Sequence, residues 1–172
     1  GFAFGIGIAL KYKDGNLEKS ITRNGEDVTS RIAKIQNVPK QIPISGIIQI
    51  RGELFVLNRP PNVSKRIASC FVLTSEGSPE GISFCGFQII NGKLNQFETI
   101  QYLKKLGFNT PEIISCNYIS QVNFFRKQWL GKKIFNHYPT DGIVVKINSR
   151  KLQLIREKSF ETYRHWQMAI EY

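Results

Sequence analysis

Asp141-Gly142-Ile143-Val144-Val145-Lys146 is the stretch on which the reading of this chain turns. Pro139 and Thr140 lead the chain in, Asp141-Gly142 reads as a turn, and three β-branched residues then predict a buried strand that Ile147 continues. Lys146 interrupts that apolar run, and a buried amine is costly unless it finds an anion or reaches water. Two readings fit. One is an edge strand with a snorkelling lysine. The other is a core strand whose lysine holds an anion, phosphate above all.

Working outward, a second charged run interrupts an apolar strand. Ile47 to Val56 predicts a strand with Arg51-Gly52-Glu53 at its middle. Charges there need a ligand or each other. Ile6 to Tyr12 and Leu17 to Thr22 predict a hairpin turning at Lys13-Asp14-Gly15-Asn16. Asp27 or Thr29 caps a short helix from Ser30 to Ile35. Leu57 to Lys65 reads as a loop marked by Pro60-Pro61, and Arg66 to Leu73 as a short helix or strand. Ile82 to Ile90 is a strand. Gln96 to Leu106 is a helix ended by Gly107, with Phe97, Ile100, Leu103 and Leu106 on its apolar face. Ile113 to Cys116 reads as a short strand, Ser120 to Trp129 as a helix, and the residues after Ile147 as a polar link before a weakly alternating end, Tyr163 to Tyr172. The pattern predicts an α+β fold, antiparallel sheets with a few packed helices, in a single domain over residues 1–172.

Composition narrows the partners. There are 24 Lys+Arg against 13 Asp+Glu, a net charge of +11 that favours a polyanion, with nucleic acid ahead of an acidic membrane or protein. No apolar run approaches the ~20 residues of a membrane span. Gly1 to Leu10 lacks the basic start of a signal peptide, so secretion is not expected. Cys70, Cys85 and Cys116 are widely spaced, which suits reduced thiols in a cytosol-like compartment, and neither His137 nor His165 shares zinc-site spacing with them.

Three ordered blocks together resemble the adenylation domain of bacterial NAD-dependent DNA ligases. They are Gly5-Ile6-Gly7-Ile8-Ala9-Leu10-Lys11-Tyr12-Lys13-Asp14-Gly15 with Thr22-Arg23 and Gly25-Glu26-Asp27-Val28-Thr29; Arg51-Gly52-Glu53-Leu54-Phe55; and Asp141 to Lys146. Ser83-Phe84-Cys85-Gly86-Phe87 and Arg164-His165-Trp166 fit more loosely. The segments after Arg23 and after Phe55 are short, similar to the smaller second type of ligase in that family.

The resemblance implies an ATP-grasp-like nucleotidyltransferase fold, NAD or AMP with Mg²⁺ as cofactors, nicked DNA as partner, and a role in DNA replication and repair. It implies a cytoplasmic, nucleoid-associated place or an organelle matrix. In the family, a lysine in a Lys-x-Asp-Gly motif attacks the adenylyl phosphorus of NAD, and the adenylate then passes to a DNA 5′-phosphate. By resemblance Glu53 lies near the ribose or Mg²⁺, supported by Arg51. Lys146 holds the phosphate, Asp141 lies near the metal and phosphate region, and Arg23 and Arg66 face nucleic acid. Alignment on Gly5 puts Phe2 at the nucleophile and Phe4 at the aspartate. Glu171 falls where the family has a phosphate-contacting lysine, and it would repel a polyphosphate. The family's N-terminal helical piece, OB-fold, zinc ligands and helical DNA-binding repeats have no counterpart within these residues.

Three functions stay open at this level. The first is a domain that has lost self-adenylation but still binds nucleotide or nucleic acid. The second is the core of an active ligase with altered first residues. The third is a non-catalytic basic scaffold subunit of a nucleoprotein assembly.

Overall fold

A computed structural model describes residues 2–3, 5–74, 76–138, 140–159 and 167–171. It is α+β, with two antiparallel sheets. The larger has the order β3-β2-β4-β5, built from β2 (Ile6–Lys13), β3 (Asn16–Thr22), β4 (Ile47–Val56) and β5 (Ile82–Ile89). The smaller has the order β1-β6-β7, from β1 (Phe2–Ala3), β6 (Thr140–Lys146) and β7 (Gln167–Glu171).

The β2–β3 hairpin turns where the sequence predicts. Asp14 (φ 47°) and Gly15 (φ 84°) both adopt positive φ, which a two-residue primed turn requires. Asp14 also exchanges backbone and side-chain hydrogen bonds with Gly46, tying the loop before β4 to the hairpin. Alternation along β2 puts Ile8, Leu10 and Tyr12 into the main core with Ile50 and Leu54 of β4 and Phe84 of β5. The Tyr12 hydroxyl donates to Pro39 O at 2.6 Å, so the buried ring keeps its polar tip satisfied.

Helices cover this face. The short α1 (Thr29–Ile32) buries Ile32, and the Asp27 carboxylate accepts from the Thr29 N–H at its start. Helix α2 (Pro61–Leu73) corrects one expectation and decides another. Pro60-Pro61 begins a helix instead of marking a loop, because proline at the first helical position lacks only an N–H that would have no intrahelical partner. The rest of the segment is helix and buries Ala68, Phe71 and Val72. Ser64 Oγ, on α2, accepts from Val56 N at 2.7 Å and completes the end of β4.

Helix α3 (Gln96–Lys105) opens with a capping box: Asn95 accepts from Glu98 N, and the Glu98 carboxylate accepts from Asn95 N. It stops at Gly107 (φ 91°) as predicted. Ile100, Leu103 and Leu106 are buried, whereas Phe97 is exposed.

The smaller sheet holds the opening stretch. β6 is its central strand, but β1 reaches only Thr140 and Gly142, so at Lys146 the described pairing is to Gln167 of β7 alone. Asp141-Gly142 is not a turn: both residues lie within β6, and Gly142 pairs with Phe2 of β1 on one side and Glu171 of β7 on the other. Pairing on two sides over-rode the local turn preference. Helix α4 (Ile119–Leu130) packs Trp129 with Phe135 and Ile143 in a second core, and Trp129 Nε1 donates to Thr140 Oγ1 at 3.0 Å.

Two more expectations fail. Residues 113–116 form no strand. The expected polar link contains α5 (Arg150–Ser159). Its Leu152, Leu154 and Ile155 are exposed while Gln153 is buried and donates to Ile147 O at 2.6 Å, so the apolar residues do not mark its buried side. Among the described residues no helix is long and apolar enough to cross a membrane.

Candidate functional site: a cleft between the two sheets

Strand alternation gives the larger sheet a second face. Opposite the core residues of β2 stand Gly7 and Ala9; the pairs Gly7↔Glu53 and Ala9↔Arg51 bring the two charges of β4 beside these small residues. A Cβ on Gly7 would meet nothing within 4 Å, so the floor there is open. Gly52 lies between the two charges for a steric reason. A Cβ on it would fall 2.3 Å from both the Phe84 ring and Cys85 O.

β5 is irregular at this point. Gly52 pairs with Gly86 but Arg51 pairs with Gln88, so Phe87 is an extra residue in the ladder. A bulge of this kind re-aims side chains. Phe87 and Gln88 both line the cleft, and Arg51 Nη1 donates to Gln88 Oε1 at 3.4 Å.

Across from this face lie Ile143 to Lys146 of β6 and Ala169 of β7. The space between is a cleft of ≈ 1590 Å³. Lys146 Nζ sits 5.1 Å from the centroid of the Phe87 ring, a cation over an aromatic face. Further wall comes from α3, including the exposed Phe97, from the loop of residues 111–118, and from Ile119, Val122 and Phe125 of the helix that follows it. Glu112 anchors that loop: its carboxylate accepts from Phe135 N at 2.7 Å and contacts His137 Nδ1.

The cleft therefore gathers Arg23, Arg51, Glu53 and Lys146 from separate parts of the chain. It adds residues that sequence reasoning missed: Lys65, Cys85, Phe87 and Gln88. The cross-strand register, and the bulge within it, bring the last three to the site, and the loosely fitting block Ser83 to Phe87 is the signal in the sequence that holds two of them. Arg66 is exposed on α2 and does not line the cleft; its neighbour Lys65 does. Asp141 is placed by its backbone alone, next to Gly142 in β6. Phe2 and Glu171 share one row of the smaller sheet through Gly142. Phe4 lies outside the described residues, as do Arg164, His165 and Trp166.

Electrostatics sort the roles. Four cationic side chains face one volume, which suits an anion. Burial, helped by the charge of Glu53, pushes the Cys85 thiol up to about 12, so it stays protonated and is a poor nucleophile. Burial also raises the Tyr138 hydroxyl. The cysteines are free, with Cys70 and Cys116 exposed, and no group of three or more His, Cys, Asp or Glu side chains among the described residues is arranged to hold a metal.

Comparison with known proteins points the same way. Residues 4–62 match the family model described as the NAD-dependent DNA ligase adenylation domain. A DNA ligase of Petrotoga mobilis is 29% identical over 98% of this chain and 29% of its own length. A DNA ligase of Mesoplasma florum is 30% identical over 87% of this chain and 26% of its own. That of Thermotoga maritima is 27% identical over 98% of the chain and 28% of its own. The chain thus spans between 26% and 29% of the length of these curated relatives. Residues 4–62 are thus similar to the adenylation domain of NAD-dependent DNA ligases, and nearly the whole chain is similar to a part of these curated DNA ligases.

Proposed function

We propose that residues 1–172 form an adenylation-like domain of the ATP-grasp-like nucleotidyltransferase kind, which holds an adenine nucleotide in the cleft but does not adenylate itself. The observation that carries this reading is the meeting of Arg51, Glu53 and Lys146 in one cleft, although Glu53 and Lys146 stand far apart in the chain. The residues there fit a nucleotide. Gly7 and Ala9 leave a flat, open floor for a planar base, and Lys146 and Arg51 supply charge-assisted donors for a phosphate. Glu53 is the carboxylate assigned to the ribose or to Mg²⁺ carried on the phosphates.

Bound NAD would supply an adenylyl phosphorus open to attack by an amine. Attack needs a nitrogen lone pair close to that phosphorus, with nearby cations keeping the amine deprotonated and stabilising the charge that develops. By alignment that amine belongs at position 2, where this chain has Phe2, and the accompanying carboxylate belongs at position 4, where it has Phe4. Neither side chain can do this work. Lys146 and Arg51 retain the capacity to bind and orient.

Titration calorimetry with AMP and with NAD tests the binding half. The wild-type chain should bind AMP, and Arg51→Ala and Lys146→Ala should each weaken binding by about tenfold or more, the range for a lost charge-assisted hydrogen bond of ~1.5–3 kcal/mol. Unaltered affinity in both variants would remove the cleft from nucleotide binding. The net charge of +11 favours a polyanionic partner as well, with nicked DNA the partner that kinship suggests.

A further inference from the structure

Outside the cleft floor, helix α4 presents an aromatic and cationic strip. From residue 113 to residue 140 the chain has no aspartate or glutamate, while Arg126, Lys127, Lys132 and Lys133 fall within that span. The outer stripe of α4 runs through Ser120, Asn123, Phe124, Lys127 and Leu130 at helical spacing, and all five are exposed. Phe124 is 58% exposed and stacks edge-on with Phe125, their ring centroids 5.5 Å apart. Tyr118, at the entry to the helix, is 71% exposed. Its backbone is fixed there, because Gln121 Oε1 accepts from the N–H groups of both Asn117 and Tyr118.

Large rings held out in water by a rigid helix, among cations and with no acid within that span, need an occupant. The charge excess selects a polyanion. On the exposed side of α4, Ser120, Asn123 and Lys127 separate the three apolar residues Ile119, Phe124 and Leu130, which leaves no continuous apolar side to insert into a bilayer. Flat rings among cations match nucleic acid instead. The rings can stack only on bases freed from a helix, so the fit is to a single strand in preference to a duplex.

We propose that α4 and its entry loop form a docking strip for single-stranded nucleic acid, with Tyr118 and Phe124 stacking on unpaired bases and Lys127, Lys132 and Lys133 on the phosphates. Tyr118 also lines the cleft, so the strip leads to its mouth, whereas Phe124 and Lys127 lie outside its lining. The strip goes beyond the nucleotide reading and stands on different residues.

Fluorescence anisotropy with a labelled oligothymidylate and a duplex of equal length, each at two salt concentrations, tests the strip on the full chain. The single strand should bind more tightly. Phe124→Ala should weaken it by roughly five- to hundredfold, the range for removal of one stacked base, with the salt dependence unchanged. Phe124→Trp should keep or improve binding, which separates stacking from fold damage. Lys127→Gln with Lys132→Gln should flatten the salt slope by about 1.4, at ~0.7 for each single-strand phosphate no longer neutralised. Equal binding of duplex and single strand, or an unchanged Phe124→Ala, would overturn the proposal. So would Phe124-dependent binding to phosphatidylserine vesicles in place of the oligonucleotide, or Phe124-dependent self-association in sedimentation. Lys146→Ala serves as the control: it should weaken AMP binding and leave oligothymidylate binding intact, so failure of the strip and failure of the cleft reading are told apart.

Discussion

Lys146 of β6 places its amine 5.1 Å from the centre of the Phe87 ring of β5. One residue belongs to the three-stranded sheet and the other to the four-stranded sheet, so this pair spans the cleft. It exists because the bulge opposite Arg51 brings Phe87 to that side. The amine keeps a favourable neighbour and still faces an open volume. A double-mutant cycle with Phe87→Leu and Lys146→Met should return a coupling of about 0.5–1 kcal/mol in urea unfolding, as for a partly exposed cation over a ring. Additive effects would mean that the two side chains do not support each other.

Gly52 is a tightly packed point of the site floor. Its replacement by alanine forces a methyl against the Phe84 ring and the Cys85 carbonyl, both at 2.3 Å. The carbonyl cannot yield cheaply, because β4 and β5 are paired there. Gly52→Ala should cost about 1–3 kcal/mol or more. Thermal unfolding would show this as a fall of about 2–4 °C per kcal/mol. AMP affinity should fall too, since Arg51 and Glu53 flank the shifted residue.

The parts of the fold that were legible in sequence are those where local chemistry and tertiary context agree. Asp14-Gly15 carries its turn in its own backbone preferences, β4 spans the predicted Ile47–Val56, and Gly107 ends α3. Where context over-rode local preference, or one local signal has two meanings as proline does, reading failed. Asp141-Gly142 has turn chemistry but sits in a central strand, Pro60-Pro61 has loop composition but starts a helix, and α5 keeps Leu152, Leu154 and Ile155 exposed. The site divides in the same way. Arg51, Glu53 and Lys146 stand out because charges interrupt apolar strands. Phe87, Gln88 and Cys85 look like ordinary strand residues until register sets them opposite Arg51 and Glu53.

Cys85 gives a pH dependence of known sign. Its thiol is raised in the folded chain to about 12, first by burial and then by Glu53. A group whose pKa is raised on folding contributes stability that is whole below its unfolded pKa and is lost as pH rises toward the folded value. Stability should therefore decline from about pH 9, the ordinary thiol range, toward about 12. Urea titrations of Cys85→Ala across that window should show a shallower decline than wild type. An identical slope would remove the thiol as a contributor. Below pH 8 the native thiol should also react slowly with aromatic disulfides and quickly once the chain is unfolded.

Asn37 substitutes for a missing strand at Phe84. Its side-chain oxygen accepts from Phe84 N at 2.8 Å, and its amide donates to Phe84 O at 2.7 Å. Asn37→Ala should cost about 1–3 kcal/mol, since the Phe84 groups would lose both partners in a partly buried place. Hydrogen exchange at the Phe84 amide should rise with it. An unchanged exchange rate would mean that water replaces the side chain without loss.

The most direct measurement is covalent transfer. The chain is incubated with Mg²⁺ and NAD labelled in its adenylate, then denatured and examined for label on protein. Wild type should carry none, while AMP binding persists in calorimetry, and Phe2→Lys with Phe4→Asp should acquire label slowly. A labelled wild-type band that survives denaturation would contradict the proposed loss of self-adenylation.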